Sequence, residues 1–114
     1  MASPRLSIRI DMPRGDRLGP GKVALLEAIQ STGSISAAAR SLGMSYRRAW
    51  LLVEEVNYAL RESAVIAETG GRSGGGAALT QVGKRVVALY RAIETKARTT
   101  ASQEFHAISK LVRR

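Results

Sequence analysis

Two short segments with helical periodicity, joined by one glycine, constrain the fold of this 114-residue chain more than any other feature. Each segment follows a serine, Ser34 or Ser45, and serine is a preferred N-cap because its hydroxyl accepts a free backbone N–H. Gly43 lies between the segments, where a tight turn favours a residue that tolerates positive φ. The apolar positions, spaced three and four residues apart, are Ile35, Ala38, Ala39 and Leu42, then Ala49, Leu52, Val53, Val56 and Leu60. The pattern predicts two consecutive amphipathic helices.

The contact between these two helices is predicted from small and apolar side chains. A close crossing needs small residues, and Ala38 and Ala39 supply them. The set expected to hold the second helix against the first is Ile35, Ala38, Leu42, Met44, Ala49 and Leu52. Two helices joined by a glycine turn in this way are typical of a helix-turn-helix unit.

The segments that precede this unit read as a strand, a turn and a helix. Residues 5–11 alternate between apolar and polar, which is the period of a half-buried strand, and residues 12–18 are turn-like. Pro20 suits the first position of a helix, and Thr32-Gly33 suits its end.

The segments that follow the unit read as a hairpin and a long helix. Residues 65–69 and 77–79 are predicted strands around a glycine-rich connection at residues 70–76. Thr80 suits the cap of a last helix whose apolar stripe runs for several turns, through Val82, Val86, Leu89, Tyr90, Ile93 and Ala97. The stripe pauses near residues 99–100 and resumes at Phe105, so the tail either continues this helix or forms a second amphipathic segment.

Composition excludes several classes of site. The chain has no cysteine and one histidine, which removes disulfides, thiolate metal sites and two-histidine metal sites. No apolar run approaches the roughly 20 residues of a membrane helix, and no signal-like segment follows Met1, so a cytoplasmic protein is expected. Residues 15–22 resemble a phosphate-binding loop but fail its spacing. His106 has no evident carboxylate or serine partner for catalysis. We therefore expect that the protein is not an enzyme and that it binds no cofactor or metal ion.

The charge indicates a polyanionic partner. The net charge is +9, and residues 28–53 and 69–93 contain no acidic residue. Such a balance points to nucleic acid first and to an anionic membrane surface second. The length, with 45% hydrophobic residues, is that of one domain with its own core.

The start of the second helix supplies the candidate DNA contacts. With Ala49 and Val53 facing inward, a rotation of about 100° per residue turns Arg47, Arg48 and Leu51 outward, where a recognition helix meets base edges. The alternative interpretation is a solvated arginine pair, and the serines equally suit simple capping. The candidates here are Ser34, Ser36, Arg40, Ser45, Tyr46, Arg47 and Arg48.

Two further features allow more than one interpretation. The loop that contains Arg72, Ser73 and Gly74 fits the wing of a winged helix, in which glycines approach the DNA backbone closely and Arg72 supplies charge. The alternative is a flexible hairpin tip without a role in binding. Tyr46 and Trp50 could stack on single-stranded bases, although partial burial of Trp50 beside the core is the preferred interpretation.

Several motifs taken in order resemble the N-terminal DNA-binding domain of ModE-type molybdate-responsive regulators and, more distantly, LysR-type winged helices. They are residues 33–39 (GSISAAA), residues 44–50 (MSYRRAW), the glycine wing, Leu79-Thr80, Gly83 and Tyr90, and the resemblance covers roughly residues 19–97. It implies a winged helix-turn-helix, a homodimer built partly through the long last helix and the N-terminal segment, and a palindromic operator touched by residues 45–48 and 70–76. The family's molybdate-binding domains have no counterpart in these 114 residues, so molybdate binding is not expected within the chain.

The sequence therefore predicts a mainly α protein with small β elements, a winged helix-turn-helix that binds double-stranded DNA as a homodimer, without a membrane. Within one domain, residues 1–18 form an N-terminal strand and turn, residues 19–80 the DNA-binding region, and residues 81–114 a dimerisation helix and tail. The alternative is a basic module that binds nucleic acid without sequence preference or binds another protein.

Overall fold

The computed structural model describes residues 4–14, 16–68 and 75–113, which form a mainly helical protein with two small antiparallel sheets. This confirms the predicted class of a mainly α protein with small β elements. The elements are β1 (Ile10–Asp11), β2 (Arg17–Leu18), α1 (Pro20–Thr32), α2 (Ile35–Ser41), α3 (Tyr46–Ala59), β3 (Val65–Glu68), β4 (Gly76–Leu79), α4 (Gln81–Thr100) and α5 (Ser102–Leu111). None of the helices in the described ranges is both long and apolar enough to cross a membrane.

The ends of the helices follow the predicted capping residues. The hydroxyls of Ser34, Ser45 and Thr80 accept hydrogen bonds from the backbone N–H three residues further on, so each satisfies one free donor of its helix. Gly33 and Gly43 have φ of 82° and 69°, the left-handed conformation that glycine adopts without a Cβ clash. The two turns around α2 are therefore set by local sequence.

The main core lies where α1, α2 and α3 meet the β3–β4 hairpin. Ala38 and Ala49 are completely buried, so α2 and α3 approach each other through small side chains as expected. Ile35, Met44 and Leu52 are half-buried against this core. The buried set is Leu25, Leu26, Ile29, Ala38, Ala39, Ala49, Val53, Val56, Ala64, Val65, Ala77 and Leu79.

One member of the predicted helix contact is not in the core. Leu42 is the C-cap of α2 and remains 39% exposed, whereas the sequence places it with the inward residues. Helix α2 ends at Ser41, so Leu42 no longer follows the helical periodicity on which that prediction depended. The expectation for Leu42 was therefore wrong.

The N-terminal strand is much shorter than predicted. Only Ile10 and Asp11 pair, with Leu18 and Arg17, although alternation extends over residues 5–11. The partner strand lies within residues 12–18, which the sequence assigns to a turn. The alternation arises instead because Ile8 and Ile10 pack on a second cluster that contains Leu18, Val23 and Tyr90.

The β3–β4 hairpin is bonded to the helices at both strands. Its register pairs Val65 with Leu79 and Glu68 with Gly76. The N–H of Ala77 donates to the carbonyl of Gly33 at 2.9 Å, which joins β4 to the end of α1. The hairpin thus forms one wall of the main core.

Helix α4 begins against the residues that precede β3 and then extends away from the core. Its first turn lies so close to Ala64 that a Cβ added to Gly83 would stand 2.2 Å from the Ala64 carbonyl oxygen. Further along, the Tyr90 hydroxyl donates to the carbonyl of Ile8 at 2.6 Å and holds the N-terminal arm. Helix α5 starts directly after Ala101, so the tail forms a second helix. The radius of gyration of 16.4 Å exceeds the roughly 13 Å of a compact chain of this length because α4 and α5 project.

Candidate nucleic-acid interface

The outward face of α3 carries two cations and no acid in its first turn. Arg47 and Arg48 are both exposed, and no acidic side chain of the described residues forms an ion pair with either. The cause is local, because the inward positions of α3 are taken by Ala49, Val53 and Val56. These guanidinium groups are therefore available to an anionic partner.

Exposed apolar side chains surround the arginines. Tyr46, Trp50 and Leu51 project from the same half of α3, and Trp50 is 45% exposed, more than the partial burial preferred from the sequence. Tyr46 and Trp50 line a groove of about 320 Å³ between α3 and the β3–β4 hairpin. Its other walls include Ser36 at the start of α2 and Gly75 and Gly76 at the start of β4. Residues of α2, α3 and the β3–β4 hairpin, which the sequence assigns to one surface, therefore line the same open groove.

The candidate serines are engaged in local hydrogen bonds. The Ser34 hydroxyl accepts from the Ala37 N–H at 2.9 Å, and the Ser45 hydroxyl accepts from the Arg48 N–H at 3.1 Å. The Ser36 hydroxyl accepts from Arg40 at 3.4 Å, and both side chains are exposed. Capping is therefore a role that Ser34 and Ser45 perform in the free chain.

Three candidates, Arg72, Ser73 and Gly74, lie outside the described residues. The described strands on either side of them are antiparallel, with Glu68 of β3 paired with Gly76 of β4, and Gly76 lines the groove. Their assignment to DNA contact stays a prediction.

A lysine braces α3 from the side of the N-terminal turn. The Lys22 ammonium, whose side chain is 11% exposed, donates to the Arg17 carbonyl at 2.8 Å and lies 3.0 Å from the Glu55 carboxylate. It thereby joins α1, β2 and α3. The sequence does not mark this residue, because Glu55, its partner on α3, lies far from it in sequence.

An asparagine braces α3 from the opposite side. The Asn57 side-chain oxygen accepts from the N–H groups of Ala64 and Val65 at 2.8 and 3.1 Å, and its amide donates to the Val65 carbonyl at 3.1 Å. These three bonds tie α3 to the first residue of β3. The periodicity of α3 shows only that Asn57 borders the inward face, so its partners could not be read from the sequence.

The tail surface, defined here as the exposed apolar residues Leu89, Ile93, Ile108 and Leu111 of α4 and α5, is distinct from the α3 face. The predicted stripe of α4 divides, because Tyr90 is buried in the second cluster while Ile93 is 44% exposed. Helix α5 contains no buried residue. The tail therefore carries apolar side chains that the described part of the chain leaves exposed.

One arginine beside the tail surface, Arg91, is paired with two carboxylates. Arg91 donates to the Glu27 carboxylate through two nitrogens, at 2.6 and 3.0 Å, and to the Glu94 carboxylate at 2.7 Å. The hydrogen bonds from Arg91 lower the pKa of Glu27 against the opposing effect of burial. Its two carboxylate partners raise the pKa of Arg91, and burial raises the pKa of Tyr90. The network joins α1 to α4 through one guanidinium and two carboxylates.

Groups of three or more histidine or acidic side chains that could hold a metal ion do not occur within residues 4–14, 16–68 and 75–113. This describes the part of the chain that the structure covers.

Comparison with known proteins relates the chain to a set of molybdenum-associated proteins. No protein-family model matches it. It is 52% identical over 80 residues to the molybdenum-pterin-binding protein MopB of Rhodobacter capsulatus, which is 70% of this chain and 30% of that protein. It is 42% identical over 71 residues to the DNA-binding transcriptional dual regulator ModE of Escherichia coli, 62% of this chain and 27% of that protein.

A third relative matches almost the whole chain. The transcriptional regulator ModE of Haemophilus influenzae is 32% identical over 108 residues, which is 95% of this chain and 41% of that protein. The chain thus spans less than half the length of the curated relatives it matches. It is related to ModE and Mop proteins over that part of their length.

Proposed function

We propose that this chain is the DNA-binding part of a ModE-type transcriptional regulator and that it binds a palindromic operator as a homodimer. In this proposal α2 and α3 form a helix-turn-helix, and the β3–β4 hairpin is the wing. Residues 19–80 form the DNA-binding region, residues 81–114 the dimerisation region, and residues 1–18 an N-terminal strand and turn.

The observation that carries the proposal is the outward placement of Arg47 and Arg48 on a braced α3. A recognition helix needs its first turns exposed and its opposite face fixed, and here Ala49, Val53 and Val56 fix that face. Arginine forks suit guanine edges and phosphates. The similarity to proteins named as transcriptional regulators supports the same interpretation.

The remaining candidate contacts take supporting roles in the proposal. Ser34, Ser36, Arg40, Ser45 and Tyr46 surround the start of α3 and face the DNA backbone, where contacts fix register without reading sequence. Arg72, Ser73 and Gly74, in the connection between β3 and β4, reach the adjacent backbone.

The homodimer is proposed from the tail surface. Leu89 and Ile93 of α4 and Ile108 and Leu111 of α5 are exposed, and exposed apolar patches mark protein contacts. A dimer that binds a palindrome must place its two copies of α3 about one helical turn of DNA, roughly 34 Å, or a multiple of it apart.

Selection of duplexes from a random pool, followed by competition, tests the proposal. We expect recovery of a palindromic sequence whose half-sites are separated by about 10 base pairs or a multiple. A regulator keeps this duplex in the presence of excess random DNA, because specific binding exceeds non-specific binding by about 10³-fold or more. Equal binding to every duplex would contradict the proposal.

That second outcome would instead support a binder driven by charge. The net charge of +9 and the two segments without acids favour such a function independently of any base contact. The two functions differ in salt dependence as well, since a purely electrostatic binder loses affinity for all sequences in parallel.

The molybdenum in the relatives' names belongs to those proteins. The proposal places the chain in the ModE-type family. It gives the described residues neither a molybdate site nor an enzymatic role.

A further inference from the structure

We infer that Asn57 is a positioning residue that sets the β3–β4 hairpin relative to α3, so that both elements engage one duplex in a fixed geometry. The inference rests on the proposed function, since it concerns how two DNA-contacting elements are held together. In this inference Asn57 touches no DNA itself. It acts by fixing the direction of the chain from residue 64 onward.

The geometry of the three hydrogen bonds carries the inference. The Asn57 side chain meets both the N–H groups and the carbonyl at the start of β3, with donor–acceptor distances of 2.8, 3.1 and 3.1 Å. An amide that donates and accepts at the same time fixes a peptide segment in direction as well as position. A purely apolar contact at this place would hold β3 near α3 without setting its angle.

The location of Asn57 relative to the groove adds to this. The residue lines the groove between α3 and the hairpin, on the same helix as Tyr46 and Trp50. It lies ten residues after Arg47, about 15 Å along the helix axis at 1.5 Å per residue. The DNA-contacting start of α3 and the point where the hairpin is attached therefore lie about this distance apart on one helix.

The other hydrogen bonds that the described hairpin residues make to the helices do not reach α3. The Ala77 N–H bonds to Gly33, at the end of α1, and the Thr80 N–H bonds to the Ala64 carbonyl. The Thr80 hydroxyl donates to the Ser63 carbonyl at 2.7 Å. Loss of the Asn57 amide therefore removes the hydrogen bonds between β3 and α3 and leaves their apolar packing in the main core.

The test is hydroxyl-radical footprinting of Asn57→Ala on a duplex selected by the parent chain. We expect protection at the centre of each half-site, opposite α3, to persist, and protection at the outer backbone, opposite the hairpin, to disappear. The slope of log affinity against log salt should decrease by about one for each phosphate that the hairpin no longer reaches. Affinity for the selected duplex should fall about tenfold.

A matched variant separates positioning from loss of stability. Val56→Ala removes buried methyl groups from the neighbouring residue of α3 without touching the hairpin bonds. We expect it to melt earlier but to retain the whole footprint and the parent salt slope at low temperature. If Asn57→Ala behaved in the same way, with all protection scaled equally, the positioning role would be overturned.

A second variant keeps the inference testable if Asn57→Ala does not fold. Asn57→Asp retains the two acceptor bonds to Ala64 and Val65 and loses the donor to the Val65 carbonyl. We expect it to keep part of the outer protection, and full outer protection would contradict the inference. Failure of the parent chain to select any duplex would instead refute the proposed function, and the inference with it.

Discussion

The outward face of α3 and the tail surface of α4 and α5 both expose apolar side chains, but the arginines beside them differ in their partners. On α3, Trp50 and Leu51 stand beside Arg47 and Arg48, which pair with no acid of the described residues. On the tail, Arg91, two residues before Ile93, pairs with the carboxylates of Glu27 and Glu94.

This difference distinguishes two kinds of partner. Unpaired arginines beside aromatic rings suit a polyanion, whereas apolar residues beside an arginine held by two carboxylates suit another protein surface. Helix α3 and the first half of α4 both pack on the main core, whereas α5 contains no buried residue. Four experiments test whether the two surfaces serve different partners.

The largest effect is expected where the two surfaces are joined, at Gly83. Gly83→Ala places a Cβ 2.2 Å from the Ala64 carbonyl oxygen, so α4 must move off the start of the hairpin. We expect a loss of about 3 kcal/mol in the free energy of unfolding, because rigid backbone cannot yield as a side chain would. Denaturant unfolding followed by circular dichroism measures it.

Gly21→Ala provides the matched control in α1. A Cβ there meets nothing within 4 Å, and alanine favours helix, so stability should stay the same or rise by up to about 1 kcal/mol. Equal unfolding curves for the two variants would show that the close approach at Gly83 is absent in solution.

The next effect is expected on the α3 face alone. Arg47→Ala should weaken specific DNA binding by about 2 kcal/mol if the guanidinium makes a bidentate base contact, and leave the oligomeric state unchanged. Arg47→Lys keeps the charge but not the fork, so it should lose most of the same specificity. Fluorescence anisotropy with selected and random duplexes measures both. A parallel loss on both duplexes would reassign Arg47 to a phosphate contact.

A smaller effect is expected on the tail surface. Ile93→Ala should weaken self-association about tenfold, roughly 1.4 kcal/mol, because an apolar side chain is removed from the proposed interface. Ile66→Ala, which removes a similarly exposed isoleucine from β3, should leave association unchanged. Sedimentation equilibrium without DNA measures both. Parent protein that stays monomeric at micromolar concentration would remove the dimer from the proposal.

The smallest effect is expected from the charge network beside the tail. Hydrogen bonds from Arg91 lower the pKa of Glu27, so the ionised carboxylate stabilises the folded chain above the usual glutamate pKa near 4.5. That contribution is lost as the pH falls through the lowered pKa. It should amount to less than about 1 kcal/mol, because both side chains are more than one-third exposed to solvent.

Glu27→Gln removes the titrating group and checks this assignment. Thermal melts between pH 3 and pH 7 should show a smaller pH dependence for Glu27→Gln than for the parent, with the difference confined to the acid end. Identical pH profiles would mean that the ion pair contributes nothing measurable.

The sequence predicts the helical frame well because its determinants are local. Ser34, Ser45 and Thr80 each cap a helix through a bond to a residue three positions away, and Gly33 and Gly43 adopt positive φ where a helix ends. These signals need only a short stretch of chain. The same holds for the outward direction of Arg47, which follows from helical period once Ala49 is inward.

What the sequence could not predict depends on contacts between distant residues. Alternation at residues 5–11 indicates a strand, but the carbonyl of Ile8 is taken by the hydroxyl of Tyr90, 82 positions away, instead of by a neighbouring strand. The anchoring of β3 by Asn57 and the brace from Lys22 to Glu55 are likewise tertiary. A polar residue in a helix shows no sign of its partner.

The clamp between Tyr90 and the N-terminal arm has a consequence for how such chains diverge. The phenol holds a main-chain oxygen, which every amino acid supplies, so the hydrogen bond is indifferent to the side chain at residue 8. Substitutions at residue 8 can therefore leave this hydrogen bond intact, although Ile8 and Ile10 also pack on the cluster that contains Tyr90. A change at residue 90 would remove both the hydrogen bond and the ring of that cluster.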